Sequence, residues 1–206
     1  MEEKQRQILE GSYNIFIAEG IKKISMEELC RRLGISKKTL YRYFGNKSHL
    51  LTELNQHMHS LIRERIRELE QKELNAIDFL LEMSKVTCET HVHINPAVIV
   101  EFRTWYPEAY EHYISLKKEL VVKTIVRNLE NGIKEGFYRQ DLNLEIVAHL
   151  YFKKIEEFHL LSAQESAGVS FPEVFRVMFE NHIRGISNKK GIAYFEKQKE
   201  NLVFTV

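Results

Sequence analysis

Proline is nearly absent from this chain, and this scarcity limits the possible folds more than any other feature. Only three of the 206 residues are proline and nine are glycine. A β-rich domain of this length needs many tight turns, which Gly and Pro usually supply. Apolar residues instead recur at helical spacing. In residues 4–19, for example, one side of the predicted helix consists of apolar residues, namely Ile8, Tyr13, Phe16 and Ile17. The sequence therefore predicts an all-α fold.

Apolar periodicity and capping signals together predict a series of helices and one loop near the C-terminus. The segment AQESAGVS, residues 163–170, has the composition of that loop. The tail 187–206 is amphipathic in part and has helical character. The predicted helices are 4–19, 26–33, 37–44, 47–70, 74–91, 95–104, 107–135, 143–164 and 171–186.

Composition favours a globular protein of the cytoplasm. Hydrophobic residues make up 44% of the chain, enough to bury a core. The N-terminus is charged and lacks the apolar region of a signal peptide, and no apolar run approaches the roughly 20 residues of a membrane span. Cys30 and Cys88 have no CxxC partner, which predicts two reduced, buried thiols. We therefore expect a soluble, cytoplasmic protein.

Charge is distributed unevenly along the chain. Residues 1–50 contain ten Lys or Arg and six Asp or Glu, a net charge of +4. Residues 51–206 carry a net charge of −3. A basic head on a mildly acidic body suggests that the head meets a polyanion.

Two short capped helices joined by a glycine turn lie within the basic head. Ser25 and Glu28 form a capping box, in which the Ser25 hydroxyl accepts from the backbone N–H three residues on and Glu28 reaches back. Gly34 can take a positive φ and end this helix, and Ser36 can cap the next one. Asn46 is placed to cap the helix that starts at Lys47. This order is that of a helix-turn-helix.

The second short helix exposes side chains suited to DNA. Its apolar residues, with those of the first, face the N-terminal helix and leave Lys, Thr, Tyr and Arg outside. Lysine supplies charge to phosphates or to guanine, threonine offers a hydroxyl and a methyl, and tyrosine hydroxyls reach phosphate oxygens. Lys47 lies in the first turn of the next helix, where backbone N–H groups already favour an anion. An ordinary solvated basic helix is the alternative interpretation.

The stretch ISMEELCRRLGISKKTLYRYFGNKSHLL, residues 24–51, resembles the DNA-binding signature of the TetR family of bacterial transcription regulators. The whole signature covers roughly residues 8–54. The resemblance implies an N-terminal three-helix DNA-binding domain, residues 1–48, and a larger helical ligand-binding and dimerisation domain, residues 49–206. It also implies a homodimer that reads a palindromic operator on double-stranded DNA. The two recognition helices of such a dimer lie about one turn of DNA apart, or somewhat more. The implied DNA contacts are Ser25, Glu27, Ser36, Lys37, Lys38, Thr39, Tyr41, Arg42, Tyr43 and Lys47.

Within that set we expect phosphate contacts from Thr39, Tyr41, Tyr43 and Lys47, and base contacts from Lys37 and Lys38. Glu27 departs from the pattern in chemistry, because an acid repels phosphates unless it accepts from a cytosine amino group. It can equally serve as a charge at the start of its helix. Arg42 fits a surface ion pair as well as a DNA contact.

The helical body is rich in aromatic residues, and these suggest a pocket for a flat or apolar small molecule. Core packing or a dimer interface is the alternative for each of them. The predicted ligand-binding residues are Met58, Met83, Thr87, His91, Phe102, Trp105, Tyr106, Tyr110, Phe152 and Glu156. The wide apolar stripes of the last two major helices predict a dimer interface. Its members are Val147, Leu150, Tyr151, Val174, Phe175, Met178, Phe179, His182 and Ile183.

Neither a metal site nor a catalytic site is predicted, and no cofactor is expected. His57 and His59 stand at i, i+2, which places them on different faces of a helix. The sequence lacks HExxH, GxSxG and a phosphate-binding glycine loop. We therefore expect a DNA-binding regulator, a repressor released by a small molecule. The alternatives are a helical small-molecule-binding protein with a vestigial head and a DNA-binding protein that has no inducer.

Overall fold

The structure is a computed structural model that describes residues 1–91, 94–162 and 171–199. The predicted all-α fold is confirmed, and within the described residues an isolated bridge between Tyr138 and Ser187 supplies the only β-type pairing. The helices are α1 (Glu3–Glu19), α2 (Met26–Leu33), α3 (Lys37–Tyr43), α4 (Lys47–Glu70), α5 (Ala76–His91), α6 (Pro96–Trp105), α7 (Pro107–Lys134), α8 (Leu144–Ser162), α9 (Phe171–Ile186) and α10 (Lys189–Gln198).

Asparagine caps explain where several helices begin. Asn75 accepts from the N–H groups of Ile77 and Asp78 at 3.0 Å each, so α5 starts at Ala76 and the predicted start at residue 74 was wrong by two residues. Asn188 caps α10 in the same way, accepting from Gly191 N–H at 3.1 Å. A side-chain acceptor at this position satisfies an N–H group that has no partner inside the helix. The predicted loop at 163–170 lies outside the described residues.

The chain divides into two compact units. The first combines Met1–Ile62 with His93–Lys117, and the second combines Arg63–Val92 with Lys118–Val206. Helices α4 and α7 each contribute residues to both units. The predicted boundary between domains 1–48 and 49–206 separates DNA binding from ligand binding and dimerisation, and it stays a prediction.

The core of the first unit draws residues from α1, α2, α3, α4, α6 and α7. Leu9, Leu29 and Leu40 have no exposed surface, and Phe44 is equally buried at the end of α3. Burial of an aliphatic or aromatic side chain of this size contributes roughly 1.5–3 kcal/mol. Tyr106, which follows α6, and Tyr110 and Tyr113 of α7 pack against the same core. Its buried members include Ile8, Leu9, Phe16, Ile21, Ile24, Met26, Leu29, Cys30, Leu40, Phe44, Leu50, Leu51, Leu54, Val98, Phe102 and Ala109.

The second unit is held by buried aromatic residues and a polar bridge. Phe152, Phe175, Phe179 and Phe195 have at most 2% of their surface exposed. Asn128 donates to the carbonyl of Ala76 at 2.8 Å and accepts from the Tyr138 hydroxyl at 3.2 Å. Both ends of this buried amide are therefore satisfied, as burial of a polar group requires.

No helix in the described part of the chain is long and apolar enough to cross a membrane.

Candidate nucleic-acid interface

Two side-chain caps and one glycine shape the helix-turn-helix. The Ser25 hydroxyl accepts from Glu28 N–H at 3.1 Å, and the Ser36 hydroxyl accepts from Thr39 N–H at 3.0 Å. Between them Gly34 takes the left-handed conformation, with φ 63° and ψ 34°. A residue with a Cβ adopts this conformation at a cost, whereas glycine does not. The caps therefore fix the start of α2 and α3, and Gly34 fixes the turn.

Glu28 departs from the predicted capping box. Its carboxylate accepts from Arg31 at 2.6 and 3.0 Å and from Arg32 at 2.6 Å, rather than turning back to the cap. The hydrogen bonds from Arg31 and then Arg32 lower the pKa of Glu28 to about 2. Arginines one helical turn further along compete successfully because they bring a full charge to the carboxylate. Half of the capping box is thus confirmed and the other half was wrong.

The inner face of α3 anchors it to the core. Leu40 and Phe44 are fully buried, and Met26, Leu29 and Cys30 of α2 are buried beside them. The Phe44 ring meets the imidazole of His49 at a centroid distance of 6.1 Å. With its inner side chains fixed in this way, α3 presents a defined outer face.

The outer face of α3 forms what we call the recognition surface, made of Lys37, Lys38, Thr39, Tyr41, Arg42 and Tyr43. Lys37, Lys38, Tyr41 and Arg42 are exposed, and Thr39 and Tyr43 are half-buried. Tyr41 leaves 49% of its surface open although it is large and aromatic. Exposed cations interleaved with aromatic hydroxyls supply the hydrogen-bond donors that phosphate oxygens and base-edge acceptors require.

Acidic side chains contact three members of the recognition surface. Lys37 forms an ion pair with Glu27 of α2. The Tyr43 hydroxyl donates to Glu2 at 2.7 Å, and Arg42 lies 3.9 Å from the same carboxylate. The sequence had suggested a surface ion pair for Arg42, but gave no signal for Glu2, because residue 2 lies 41 positions from Tyr43.

Lys47 is turned towards the protein. Its ammonium donates to the carbonyl of Ile21 and lies 5.6 and 5.5 Å from the ring centroids of Phe16 and Tyr106. Burial lowers the pKa of Lys47, and nearby Glu101 opposes that shift. The phosphate contact expected of Lys47 therefore requires a different side-chain conformation, and it stays a prediction.

Comparison with known proteins identifies this helix-turn-helix. The model of the family described as bacterial regulatory proteins, tetR family, matches residues 8–54, which span most of α1, all of α2 and α3 and the start of α4. The chain belongs to the TetR family. It is a DNA-binding transcription regulator, and TetR proteins are not enzymes.

Two HTH-type transcription regulators extend the similarity beyond the head. The transcriptional repressor KstR2 of Mycobacterium tuberculosis is 22% identical over 147 residues, which cover 70% of this chain and 74% of the relative. The transcriptional regulator PksA of Bacillus subtilis is 21% identical over 196 residues, covering 90% of each chain.

The solved structure of a transcriptional regulator shares the fold over nearly the whole chain. FadR from Bacillus subtilis, solved in complex with stearoyl-CoA, superposes with a TM-score of 0.69 and 16% identity, covering 88% of this chain and 98% of FadR. At that identity the superposition establishes the fold alone.

The predicted ligand-binding residues divide equally between the two compact units. Met58, Phe102, Trp105, Tyr106 and Tyr110 belong to the first unit, and Met83, Thr87, His91, Phe152 and Glu156 belong to the second. In the first unit Phe102 is buried and meets Tyr110 edge-on at 5.5 Å, while Trp105 is 53% exposed. In the second unit Phe152 is buried, and the Thr87 hydroxyl donates to Met83 O at 2.9 Å. Their role in ligand binding stays a prediction.

The second unit also holds a pocket of about 200 Å³ that the sequence did not suggest. Arg127 and Glu70 form an ion pair at this pocket, and Asn128 is already bonded to Ala76 and Tyr138. None of the ten predicted ligand-binding residues lines it. The lining residues are Leu69, Glu70, Leu74, Ala76, Phe79, Thr124, Arg127, Asn128 and Asn131.

The predicted dimer residues are of two kinds. Leu150 is 56% exposed, and Val147 and Val174 are half-buried. The other six are buried within the second unit, and these are Tyr151, Phe175, Met178, Phe179, His182 and Ile183. The structure adds two exposed apolar residues that the sequence reasoning missed, Ile146 at 57% and Val177 at 55%. Their spacing from Leu150 and Val174, four and three residues, was the available signal.

Among residues 1–91, 94–162 and 171–199, no group of three or more His, Cys, Asp or Glu side chains is arranged to hold a metal ion.

Proposed function

We propose that this chain is a homodimeric repressor of the cytoplasm that binds a palindromic operator and leaves it when a small molecule binds the helical body. The observation that carries the proposal is the recognition surface. It combines exposed lysines with aromatic hydroxyls on a helix whose inner face is fully anchored. A helix presented in this way enters the major groove, which admits one α-helix.

The recognition surface suggests which contacts position the protein and which read sequence. Tyr41 and Thr39 lie on the outer face of α3, and together with Tyr43 and Lys47 they are our candidates for phosphate contacts. Lys37 and Lys38 occupy the first turn of α3, the part of a recognition helix that reaches base edges. In this assignment Lys37 leaves its ion pair with Glu27 and forms a hydrogen bond to a base. Glu27 therefore limits non-specific DNA binding by Lys37.

A second copy of the chain is the partner we propose for α8 and α9. Ile146, Leu150 and Val177 each expose more than half of their surface. The half-buried Val147 and Val174 lie on the same two helices, which pack on each other. Exposed apolar residues concentrated on one helix pair are typical of an interface, and symmetric dimers are the commonest assembly. The six buried residues of the predicted set would then support the interface from below.

The small molecule we propose is apolar or aromatic. Phe102, Tyr110 and Tyr113 cluster within the first unit, with ring centroids 5.5–6.2 Å apart. FadR of Bacillus subtilis, which shares the fold, was solved with a fatty acyl-CoA. A ligand that binds one conformer more tightly shifts the population towards it, and release from DNA follows if that conformer fits the operator poorly.

Selection of bound sequences from a random double-stranded DNA pool tests the proposal, with purified full-length protein at near-physiological salt. We expect one palindrome to be enriched. Lys38→Ala should abolish that enrichment, whereas Lys134→Ala, which also removes an exposed positive charge, here from α7, should leave it intact. Failure of the folded protein to enrich any motif would contradict sequence-specific binding and would favour the small-molecule-binding alternative.

A further inference from the structure

One peptide group in the turn between α1 and α2 joins two charged side chains. The N–H of Lys22 donates to the Glu101 carboxylate of α6 at 2.9 Å. The carbonyl of the same peptide unit, that of Ile21, accepts from the Lys47 ammonium of α4. Carboxylate, peptide and ammonium thus form a continuous chain of hydrogen bonds. Each bond in such a chain polarises the next, so the two ends stabilise each other.

The Lys47 ammonium occupies an environment formed largely by the protein. The rings of Phe16 and Tyr106 flank it at 5.6 and 5.5 Å. Tyr106 directly follows α6, so the helix that supplies Glu101 also supplies one of these rings. A half-buried ammonium loses hydration, and a neutral carbonyl replaces only part of it. Glu101 supplies the nearby negative charge that makes this position tolerable.

The turn is shaped to let Glu101 approach. Gly20 has φ 95°, a conformation that favours glycine, and a Cβ at this position would lie 2.9 Å from Oε2 of Glu101. A second contact from α6 reaches the same turn, because the Lys22 ammonium lies 4.1 Å from the centroid of the Trp105 ring. Residues 20–22 are therefore held by α6 at two points.

We propose that Glu101 is a positioning residue for Lys47, holding its ammonium on the Ile21 carbonyl and thereby withholding it from DNA phosphate. This inference rests on the proposed function, in which Lys47 contacts a phosphate. When Glu101 is displaced from the turn, the peptide between Ile21 and Lys22 loses its carboxylate partner. The Lys47 ammonium then leaves the rings of Phe16 and Tyr106, and the head gains one phosphate contact. Glu101 thus sets how many charges the head offers to DNA.

Operator affinity measured by fluorescence anisotropy at several salt concentrations tests the inference. Each phosphate contact adds about 0.9 to the slope of log affinity against log salt. Glu101→Ala should therefore steepen the slope by about one and tighten binding at low salt. Glu101→Gln, which keeps an acceptor for Lys22 N–H, should give an intermediate slope. Glu108→Gln, the removal of an exposed acid from the first turn of α7, should change nothing.

The same two substitutions of Glu101 in a Lys47→Gln background separate positioning from general charge. Loss of the slope change in that background supports the inference, because the effect then requires Lys47. A slope change that persists without Lys47 overturns it. Thermal denaturation of every variant checks that it is folded under the binding conditions.

Lysine 15N NMR distinguishes failure of this inference from failure of the phosphate assignment. The Nζ signal that is missing from the spectrum of Lys47→Gln belongs to Lys47. Exchange of the Lys47 ammonium protons with water should accelerate in Glu101→Ala. Unchanged exchange overturns the positioning role. Faster exchange with an unchanged salt slope supports positioning, and instead overturns the proposed contact between Lys47 and phosphate.

Discussion

One buried histidine binds a proton less readily in the folded protein than in the unfolded chain. His182 on α9 has 8% of its surface exposed, and its Nε2 atom has no hydrogen-bond partner among the described residues. The Tyr151 ring covers it at a centroid distance of 4.3 Å. Burial, and then the charge of Lys154, lower the pKa of His182 to about 3. The imidazole therefore stays neutral in the folded protein, while it takes up a proton readily in the unfolded chain.

We expect the free energy of unfolding to fall as the pH drops from about 6.5 towards 3. Below an unfolded pKa near 6.5 the unfolded chain binds a proton that the folded chain refuses, at roughly 1.4 kcal/mol per pH unit. His182→Leu should remove about 2 kcal/mol of the loss between pH 6.5 and 5. Urea denaturation at both pH values, at fixed protein concentration, measures this.

Phe179→Leu is the control for the His182 prediction, since Phe179 is also buried on α9 and does not titrate. It should lower stability by the same amount at both pH values. An acid response that His182→Leu leaves unchanged would place its origin in another group.

At the scale of the helices, the head depends on side chains that have two uses. Ser25 and Ser36 each cap a helix with the oxygen that our assignment also places near DNA. For Ser25 the two roles are compatible, because the hydroxyl oxygen accepts from the backbone while its hydrogen remains available to a phosphate. The Ser36 hydroxyl also shares a hydrogen bond with the Thr39 hydroxyl at 2.8 Å, so Ser25 gives the cleaner test. Substitutions can separate the two roles, because aspartate retains the acceptor and carries no donor.

Ser25→Ala should lower the free energy of unfolding by about 1 kcal/mol through loss of the cap. Ser25→Asp should preserve stability, since an anion suits the start of a helix, yet it should weaken operator binding more than Ala does. Urea denaturation and anisotropy measure the two effects. Asn188→Ala, which removes the cap of α10, should reduce stability alone. Equal operator affinity of Ser25→Asp and wild type would remove Ser25 from the contact set.

Local signals were sufficient to predict most helices, and non-local contacts explain what sequence reasoning missed. Ser25, Gly34 and Ser36 act on backbone within four residues, so their roles were legible in the sequence. The conformation of Lys47 depends on a carbonyl 26 residues away, and the Glu101 contact to Lys22 spans 79 residues. No periodicity encodes such pairs, because either partner is compatible with many surroundings.

For the whole molecule, the stripes on α8 and α9 were too wide to divide by sequence alone. When apolar residues cover a helix on several sides, some face the core of their own unit and others face outwards. The burial of each side chain in the structure separates these two sets. His182 and Ile183 belong to the core, whereas Ile146, Leu150 and Val177 remain at the surface. The exposed set is the part of the stripe that we propose a second copy of the chain covers.

Leu150→Glu combined with Val177→Glu should convert the proposed dimer to a folded monomer, because a desolvated carboxylate at the proposed interface is strongly unfavourable. Affinity for a palindromic operator should fall about 100-fold, as two linked heads become one. Sedimentation velocity and anisotropy measure both effects. Leu61→Glu alters a residue that is 40% exposed on α4 and should change neither. A double variant that still sediments as a dimer would exclude this face as the interface.

The chain carries a single tryptophan, Trp105, and its ring lies 4.1 Å from the ammonium of Lys22. An indole that is half exposed and beside a cation emits light whose wavelength and intensity depend on both conditions. The end of α6 therefore carries a built-in optical reporter on its contact with the turn after α1. Intrinsic emission can follow that contact during a titration, without a dye and without a second tryptophan to obscure it.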